Sequence, residues 1–389
     1  MMAAVTDAII GRRLEKVRND LGFTLGDVAT KVGFNHYQIL SKIEKGERPA
    51  RVSELARLAQ IYYKDLGYFL SELDPPESEW SYAWRKNPGI TSSKGLEARV
   101  LQLLMDYKLL EELTGEASTT SIEPWPKSES PMDFTFVSQK AEELSQQLGL
   151  GSRPAPSLPS IIEDKLGIKL LYFNMDEGIS AVSAIGDFGY AIVVSPCEAP
   201  WRRSFNLAHE LFHLYASHIT PLSEVHMSAD SGKSQIERFA DAFASALLLP
   251  QGPLREALQA HAKDNRLELI DVISVASEFN VSTQALLYRM YGLKLLQSPP
   301  IKEIVNNPQF LEQNREARRP GNQPAQEFSP RMILLALKAM RKGKISMGRV
   351  CKMFGVRRTE FSSFLSERNL SIEIEQADDT PEVVLSCNS

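Results

Sequence analysis

The sequence predicts a multidomain α+β protein with an all-α N-terminal domain, a central α+β domain and a helical, basic C-terminal region. Its 389 residues exceed the roughly 100–200 residues of one ordinary domain. Apolar residues recur at helical spacing between residues 7 and 72, whereas β-type runs occur between residues 169 and 194. Shifts in composition predict four segments, 1–72, 73–133, 134–300 and 301–389.

The composition is that of an ordinary globular protein, with 43% hydrophobic residues, 24% charged residues and a net charge of −5. It excludes a fibrous or wholly disordered chain and leaves room for a local basic surface. No run approaches the roughly 18 apolar residues needed to span a membrane, and the first residues carry no secretory signal. The three cysteines lie far apart, which fits a reducing compartment. We therefore expect a cytoplasmic protein.

The N-terminal domain is predicted to consist of four short helices. Thr24 and Asp27 are spaced as in a capping box at the start of the second helix, and Gly33 follows as its turn residue. Asn35 is the expected cap of the third helix, and Ser53 begins the fourth.

The rest of the chain is predicted to contain three strands among helices. Residues 75–130 are expected to be a helical spacer, with a linker composition over 117–133. A Pro-rich loop is expected before residue 161, residues 301–327 are expected to be loose, and we find no internal repeat. The predicted strands are 169–173, 179–185 and 190–194, and the predicted helices are 96–113, 134–148, 161–166, 205–217, 236–249, 269–278, 282–296 and 330–369.

Four histidines fall within one short stretch, whose centre is His209-Glu210-Leu211-Phe212-His213. Positions i and i+4 of a helix lie on one face, so both imidazoles can reach a single cation. Glu210 lies one step around the helix, where it can hold a metal-bound water without being a ligand. Neutral nitrogen ligands, an open coordination position and an adjacent carboxylate are what zinc-dependent hydrolysis needs. The alternative interpretation is a pair of ordinary helix histidines.

A third ligand is needed for a catalytic zinc, and the next predicted helix offers Glu237 and Asp241 at positions i and i+4. Both acids lie opposite the apolar Phe239 and Phe243, and buried acids are costly unless they meet positive charge. We assign Glu237 as the third ligand. Asp241 is assigned as the acceptor that orients an imidazole through its other ring N–H.

These motifs resemble the ImmA/IrrE metallopeptidases over about residues 140–300. The resemblance includes Phe205-Asn206-Leu207-Ala208 before the histidines and the acid pair of the following helix. It implies a zincin-like α+β fold, zinc on the three assigned ligands and Glu210 as the general base. It also implies a substrate, because such enzymes typically cut one partner protein, often a helix-turn-helix repressor, and so derepress genes in stress response or phage defence. Phe212 stands where many relatives have Gly, and we expect it to thicken the cleft wall.

Three nearby residues have weaker assignments. His218 and His226 are candidates for stabilising the oxyanion, although a surface or capping histidine is an equally good interpretation of each. Cys197 is a candidate inhibitory ligand that would fill the open coordination position. A buried structural thiol is the alternative for Cys197.

Residues 11–70 resemble the Cro/repressor-type (XRE) helix-turn-helix domain. The resemblance rests on Val28-Ala29-x-x-Val32-Gly33 and on Ile43-Glu44-Lys45-Gly46. It implies binding of duplex DNA, with the third helix in a major groove. The residues expected to contact DNA are His36, Tyr37 and Gln38 at base edges, and Lys42, Lys45 and Arg48 near the phosphate backbone.

Two departures from that pattern keep an alternative open. The segment from Gly33 to Glu44 is one residue longer than usual, and Leu25 stands where a phosphate-contacting Gln is typical. Residues 1–72 also carry a net charge of only +2. The alternative is a helical module for dimerisation, or for docking a peptide such as the repressor substrate, and a homodimer is compatible with either.

A second basic segment spans residues 331–369, with ten Lys and Arg against two acids. Residues 345–356 again have a helix–turn pattern, with a helix after it. A compact basic helical segment can bind nucleic acid through its phosphates. The alternative is a solvated surface that pairs with the acidic tail, whose acids are Glu373, Glu375, Asp378, Asp379 and Glu382.

The leading hypothesis from these patterns is a zinc-dependent, site-specific endopeptidase with a DNA-binding module, which regulates transcription by cleaving a partner repressor. The rival is a transcriptional regulator whose peptidase-like domain is a non-catalytic sensor or partner-binding domain. The presence of Glu210 beside both histidines favours the first.

Overall fold

The computed structural model divides into two compact units, Met1–Glu79 with Gly89–Tyr107, and Trp80–Pro88 with Lys108–Ser389. We describe each unit by itself. The residues whose structure is described are 6–62, 64, 66–71, 81–82, 94–116, 122–126, 132–175, 179–220, 222, 234–264, 266–296, 301–317, 328–368 and 370.

The first unit begins with a bundle of short helices. Thr24 and Asp27 form the predicted capping box, in which the Thr24 hydroxyl accepts from the Asp27 backbone N–H at 3.1 Å. Gly33 ends that helix in the left-handed region with φ +87°, and this confirms its turn role. The cap of the next helix is His36, so the prediction of Asn35 is wrong by one residue. The helices are α1 (Asp7–Asp20), α2 (Leu25–Val32), α3 (Tyr37–Glu44), α4 (Val52–Ile61) and α5 (Leu66–Leu70).

A buried ion pair fixes α3 against α1. Arg18 donates to both carboxylate oxygens of Glu44, at 2.7 and 2.9 Å. The same two helices approach so closely that a Cβ on Gly11 would lie 2.4 Å from the carbonyl oxygens of Ile43 and Glu44. Only glycine permits this contact, and the contact sets the position of α3 within the unit.

A small sheet forms one layer of the second unit. Strands β3 and β4 form an antiparallel hairpin, β2 runs parallel to β4, and β1 pairs antiparallel with β3, which gives the order β1-β3-β4-β2. This confirms the three predicted strands and adds a fourth. The strands are β1 (Ser81–Tyr82), β2 (Lys169–Tyr172), β3 (Ala181–Gly186) and β4 (Gly189–Val194).

Helices cover this sheet, and α9 lies between the sheet and α10. That layer brings the two helices of the predicted metal site together. The helices up to residue 317 are α6 (Lys94–Thr114, which spans the boundary between the units), α7 (Phe134–Leu148), α8 (Pro154–Asp164), α9 (Pro200–Tyr215), α10 (Gln235–Leu248), α11 (Gln251–His261), α12 (Leu269–Glu278), α13 (Thr283–Gly292), α14 (Ile301–Val305) and α15 (Pro308–Ala317). The predicted α+β class is therefore confirmed.

Three local predictions were wrong. The expected Pro-rich loop is most of α8, because Pro154 starts that helix and Pro156 lies in its first turn, where backbone N–H groups have no intrahelical partner. The expected loose segment contains α14 and α15, although residues 318–327 lie outside the described part of the chain. Helix α11 was not predicted, since a Gly and a Pro occur in its first turn.

Part of the predicted linker packs into the second unit, to which it belongs. The backbone N–H of Trp125 donates to the carbonyl of Tyr215 at 2.8 Å, and its indole stacks on the Tyr215 ring. Ile122 is buried as well. The predicted linker therefore contains a short segment that is anchored by Ile122 and Trp125.

The C-terminal region of the second unit is helical. Its core is a cluster of four buried phenylalanines, and Phe328 also bridges to Leu171 of β2. The buried Glu111 carboxylate accepts from Lys169 of β2 at 2.7 Å and from Arg331 at 2.6 Å, which fixes the region to the sheet. The elements are α16 (Pro330–Arg341), α17 (Met347–Phe354), a 3-10 turn (Arg358–Glu360) and α18 (Phe361–Ser366). The acidic tail lies outside the described residues.

Within the described residues, no helix has the length and apolarity to cross a bilayer.

Candidate metal centre

Helix α9 presents both motif histidines to the interior of the second unit. Its apolar stripe packs on the sheet, so that His209, Glu210 and His213 are respectively 4%, 3% and 1% exposed. Helix α10 brings Glu237 to the same place from its first turn. Groups this polar are retained in an interior only when they meet compensating partners.

Three potential ligand atoms converge between the two helices. The Nε2 atoms of His209 and His213 are 3.2 Å apart, and the carboxylate oxygens of Glu237 lie 3.3 Å from each of them. Zinc binds such atoms at about 2.0–2.2 Å, so two ligand atoms of a tetrahedral site are roughly 3.3–3.5 Å apart. The chemistry and spacing of His209, His213 and Glu237 therefore fit a zinc ion, and the structure identifies these residues as a group that could hold a metal.

Asp241 orients one of the two imidazoles. Its Oδ1 lies 3.1 Å from Nδ1 of His209, so Asp241 holds the Nδ1 side of the ring while Nε2 faces the shared centre. Burial lowers the pKa of His209, but the hydrogen bonds to Asp241 and Glu237 and the charge of Glu210 outweigh it and raise the pKa to about 9. The surroundings of His209 therefore favour positive charge at this point.

Glu210 lies beside the three potential ligands and is not one of them. One of its carboxylate oxygens accepts a hydrogen bond of 2.9 Å from the hydroxyl of Ser183, which is fully buried on β3. Sequence reasoning missed Ser183. The available signal was a single polar residue in the otherwise apolar run Ala181-Val182-Ser183-Ala184-Ile185.

Two of the three weaker candidates, Cys197 and His218, are not in the group of potential ligands. Cys197 is exposed and donates to the side-chain oxygen of Asn174 at 3.1 Å, and it is not a member of the metal-binding group. His218 is exposed in the turn after α9. His226 lies outside the described residues. A catalytic role for His218 and an inhibitory role for Cys197 stay predictions.

Phe212 points into the core rather than toward solvent. It is fully buried, and its ring lies 5.6 Å from that of Trp125 and 5.7 Å from that of Phe243. The expectation that Phe212 thickens the cleft wall is therefore wrong. Its side chain packs between Trp125 and Phe243 in the core. Phe212 braces α9 against α10.

In the first unit, the residues expected to contact DNA stand at the start of α3. His36, Tyr37 and Gln38 are exposed, as are Lys42 and Lys45 farther along. Their placement suits a recognition helix whose N-terminal residues face base edges.

The DNA-binding prediction also concerned Arg48, Leu25 and the length of the segment between Gly33 and Glu44. Arg48 is half-buried and pairs with Glu54 at 2.8 Å. Leu25, in place of the usual Gln, packs its half-buried side chain on the core of the unit. Within the segment from Gly33 to Glu44, a turn of residues 33–36 joins two intact helices, α2 and α3.

A buried pair of imidazoles and a carboxylate, with a second carboxylate beside them, is the arrangement of a metallopeptidase-like domain. Comparison with protein families agrees, because residues 163–291 match a peptidase family described as the IrrE N-terminal-like domain. Residues 14–69 match the helix-turn-helix family, and residues 319–385 match an uncharacterised protein family, UPF0175. No curated protein matches the chain. The chain thus combines a helix-turn-helix DNA-binding domain with an IrrE/ImmA-like peptidase domain, in that order.

Replacing Asp241 by alanine is expected to weaken zinc binding by about 10–100-fold, because the imidazole of His209 loses the acceptor that fixes its tautomer and orientation. Zinc affinity measured by competition with a chromophoric chelator tests this. Glu256→Ala on α11 is the matched control, since it removes an exposed acid distant in sequence from the ligands. An unchanged affinity in Asp241→Ala would show that His209 needs no such support.

Proposed function

We propose that the protein is a zinc-dependent, site-specific endopeptidase that carries its own DNA-binding module and regulates transcription by cleaving a partner repressor. The observation that carries the proposal is the convergence of His209, His213 and Glu237 beside a buried Glu210. Two ligands come from α9 and the third from α10, so a helix-packing interface and not a single motif forms the site.

The roles of the residues follow from their contacts. When bound by His209, His213 and Glu237, zinc supplies a Lewis acid and lowers the pKa of a water to about 7. Glu210 accepts a proton at the carboxylate oxygen that Ser183 does not occupy, and it returns that proton to the leaving amine. Ser183 holds the carboxylate in one orientation through its hydrogen bond.

The helix-turn-helix domain supports the regulatory half of the proposal. A domain that presents His36, Tyr37 and Gln38 at the start of an exposed helix can bring the peptidase to DNA, where repressors are bound. We expect the protein to act in the cytoplasm, in stress response or phage defence.

A non-catalytic sensor is the less favoured function. Burying a carboxylate at 3% exposure is costly, and Glu210 is not needed to complete the three-ligand set. A proton acceptor beside a metal site accounts for its position, whereas a sensor that only binds a ligand does not.

The decisive experiment is incubation of the zinc-loaded full chain with the helix-turn-helix repressor encoded beside it. Cleavage at one site would give two discrete fragments, and a chelator would suppress them until zinc is added back. Duplex DNA is included in one arm, because the proposal places the reaction on DNA. If zinc-loaded protein leaves the repressor intact with and without DNA, the endopeptidase proposal fails for that substrate class.

A further inference from the structure

Helix α17 of the C-terminal region has the same length and the same kinds of cap as α2. Both helices have eight residues. Both begin after a hydroxyl residue that accepts from a backbone N–H three residues on, namely Thr24 from Asp27 and Ser346 from Arg349. This likeness is one of local structure, and the absence of an internal sequence repeat stays a prediction.

The ends of the two helices also agree. Gly33 and Gly355 both close their helices in the left-handed region, with φ +87° and +66°. The next residue then donates its backbone N–H to the carbonyl five positions back, at 2.8 Å from Phe34 to Ala29 and at 2.9 Å from Val356 to Cys351. This is the Schellman arrangement, which fixes the direction in which the chain leaves the helix.

Three buried positions of the two helices correspond one by one. Counting back from the closing glycine, the buried Val32, Ala29 and Val28 of α2 match the buried Phe354, Cys351 and Val350 of α17. Helix α17 also buries Met353, where α2 has the exposed Lys31. Each helix also has a glycine at its second position. Because the residue types are similar while most identities differ, the repeat is visible in structure and weak in sequence.

A second helix follows α17, as α3 follows α2. Two residues separate Gly355 from a 3-10 turn at Arg358–Glu360, which leads directly into α18, so helical backbone runs over 358–366. Phe361 and Phe364 anchor this helix, and Phe364 stacks on Phe354 with ring centroids 5.6 Å apart. Two helices joined by a short glycine-containing turn form a helix-turn-helix.

Seven of the ten basic residues of the region fall into two groups. One group is engaged with the rest of the second unit: Arg331 binds Glu111, Lys338 pairs with Glu116, and Lys342 donates to the carbonyl of Thr114. The second group is exposed and comprises Lys352, Arg357 and Arg358 on the helix-turn-helix, and Lys344 just before α17.

Nearby acids do little to neutralise that exposed group. Within the described residues 328–368, the acids are Glu360 and Glu367. Glu360 pairs with Arg357 at 3.5 Å, but both side chains are largely exposed, and a phosphate can replace such a surface pair.

We propose that α17 and α18 form a second duplex-DNA-binding helix-turn-helix. Lys352, Arg357 and Arg358 contact phosphates, and the exposed Thr359 and Ser362 at the start of the second helix face base edges.

Duplex DNA fits this surface better than single-stranded nucleic acid. Single-strand binders stack bases on exposed aromatic rings, and the phenylalanines of the described C-terminal region are all buried. What the surface presents is positive charge on a rigid helix pair, which suits the phosphates of a duplex.

The test uses full-length protein, because the region packs on the rest of its unit. Fluorescence anisotropy with a labelled 30-base-pair duplex measures affinity across a series of salt concentrations. The starting variant carries Gln38→Ala, Lys42→Ala and Lys45→Ala, which disables the N-terminal domain. The C-terminal variant adds Lys352→Ala, Arg357→Ala and Arg358→Ala. The matched control instead adds Arg255→Ala, Lys263→Ala and Arg266→Ala, which removes the same charge from an exposed part of the peptidase domain.

The starting variant is expected to retain duplex binding. The C-terminal variant is expected to bind about 10–100-fold more weakly at 100 mM salt, with a salt slope smaller by roughly 2 to 3, because each lost phosphate contact removes about 0.9 from that slope. The control variant should move neither quantity. Thermal unfolding of each variant shows that the effect is not one of folding.

Four results would overturn the proposal. They are equal affinities of the C-terminal variant and the control, no duplex binding by the starting variant, stronger binding to a single-stranded RNA of the same sequence, and binding that appears only after residues 371–389 are deleted. The last result would show that the basic surface pairs with the acidic tail of residues 371–389.

Discussion

Replacing Glu210 by glutamine is expected to lower kcat for repressor cleavage by about 10²–10⁴-fold while the zinc content stays at the wild-type value. Glutamine keeps the size of the side chain and can still accept from Ser183, so the fold and the three ligands are preserved. What it loses is the ability to take a proton. Fragment formation followed over time, together with metal analysis of the same preparation, measures both quantities.

The control for this prediction is Glu256→Gln, the same change at an exposed position of α11. It should leave both cleavage and zinc content unchanged. Cleavage at the wild-type rate by Glu210→Gln would contradict the assignment of the base. A loss of zinc in the same variant would instead show that Glu210 supports the ligands.

Replacing Ser183 by alanine is expected to give a kcat for repressor cleavage between those of the wild type and Glu210→Gln. Removing its hydroxyl leaves the Glu210 carboxylate buried without this hydrogen bond, which lets it turn and makes its charge more costly. The sequence could not assign this role, because the contact joins β3 to α9 and depends on how the sheet and helix pack. A single serine in an apolar run marks a position for inspection but does not name its partner.

The candidate metal ligands could be predicted because their geometry is mostly local. The i and i+4 spacing places His209 and His213 on one face of any helix, and the same rule pairs Glu237 with Asp241. Only one non-local assumption was needed, that α9 and α10 pack together. Their burial supports it, since each helix carries polar groups that an interior admits only in mutual contact.

Features that depend on distant packing were predicted less well. Phe212 was expected to line the cleft, but Trp125, from a segment with the composition of a linker, covers it. The prolines of α8 suggested a loop, although two of them stand at the start of the helix, where proline costs little. The helix–turn pattern of residues 345–356 could be predicted, but its detailed likeness to α2 could not, because that likeness preserves burial and capping rather than residue identity.

Replacing Glu237 by alanine is expected to remove zinc binding at concentrations that saturate the wild type. The variant keeps two ligands, and a zinc site of this class needs three. The readout is the shift in the melting temperature when zinc is added, since a ligand at a hundredfold excess over its Kd stabilises the folded state by about 2.7 kcal/mol. The wild type should show this shift, and Glu237→Ala should not.

Comparing zinc-induced shifts, and not absolute melting temperatures, separates metal binding from folding. Loss of the carboxylate also removes its contacts with both imidazoles, so the metal-free variant can differ in stability from the metal-free wild type. Glu256→Ala on α11 should retain the full shift. If Glu237→Ala also retained it, the third ligand would have to come from elsewhere, and the match between the measured 3.2–3.3 Å spacings and a zinc tetrahedron would be accidental.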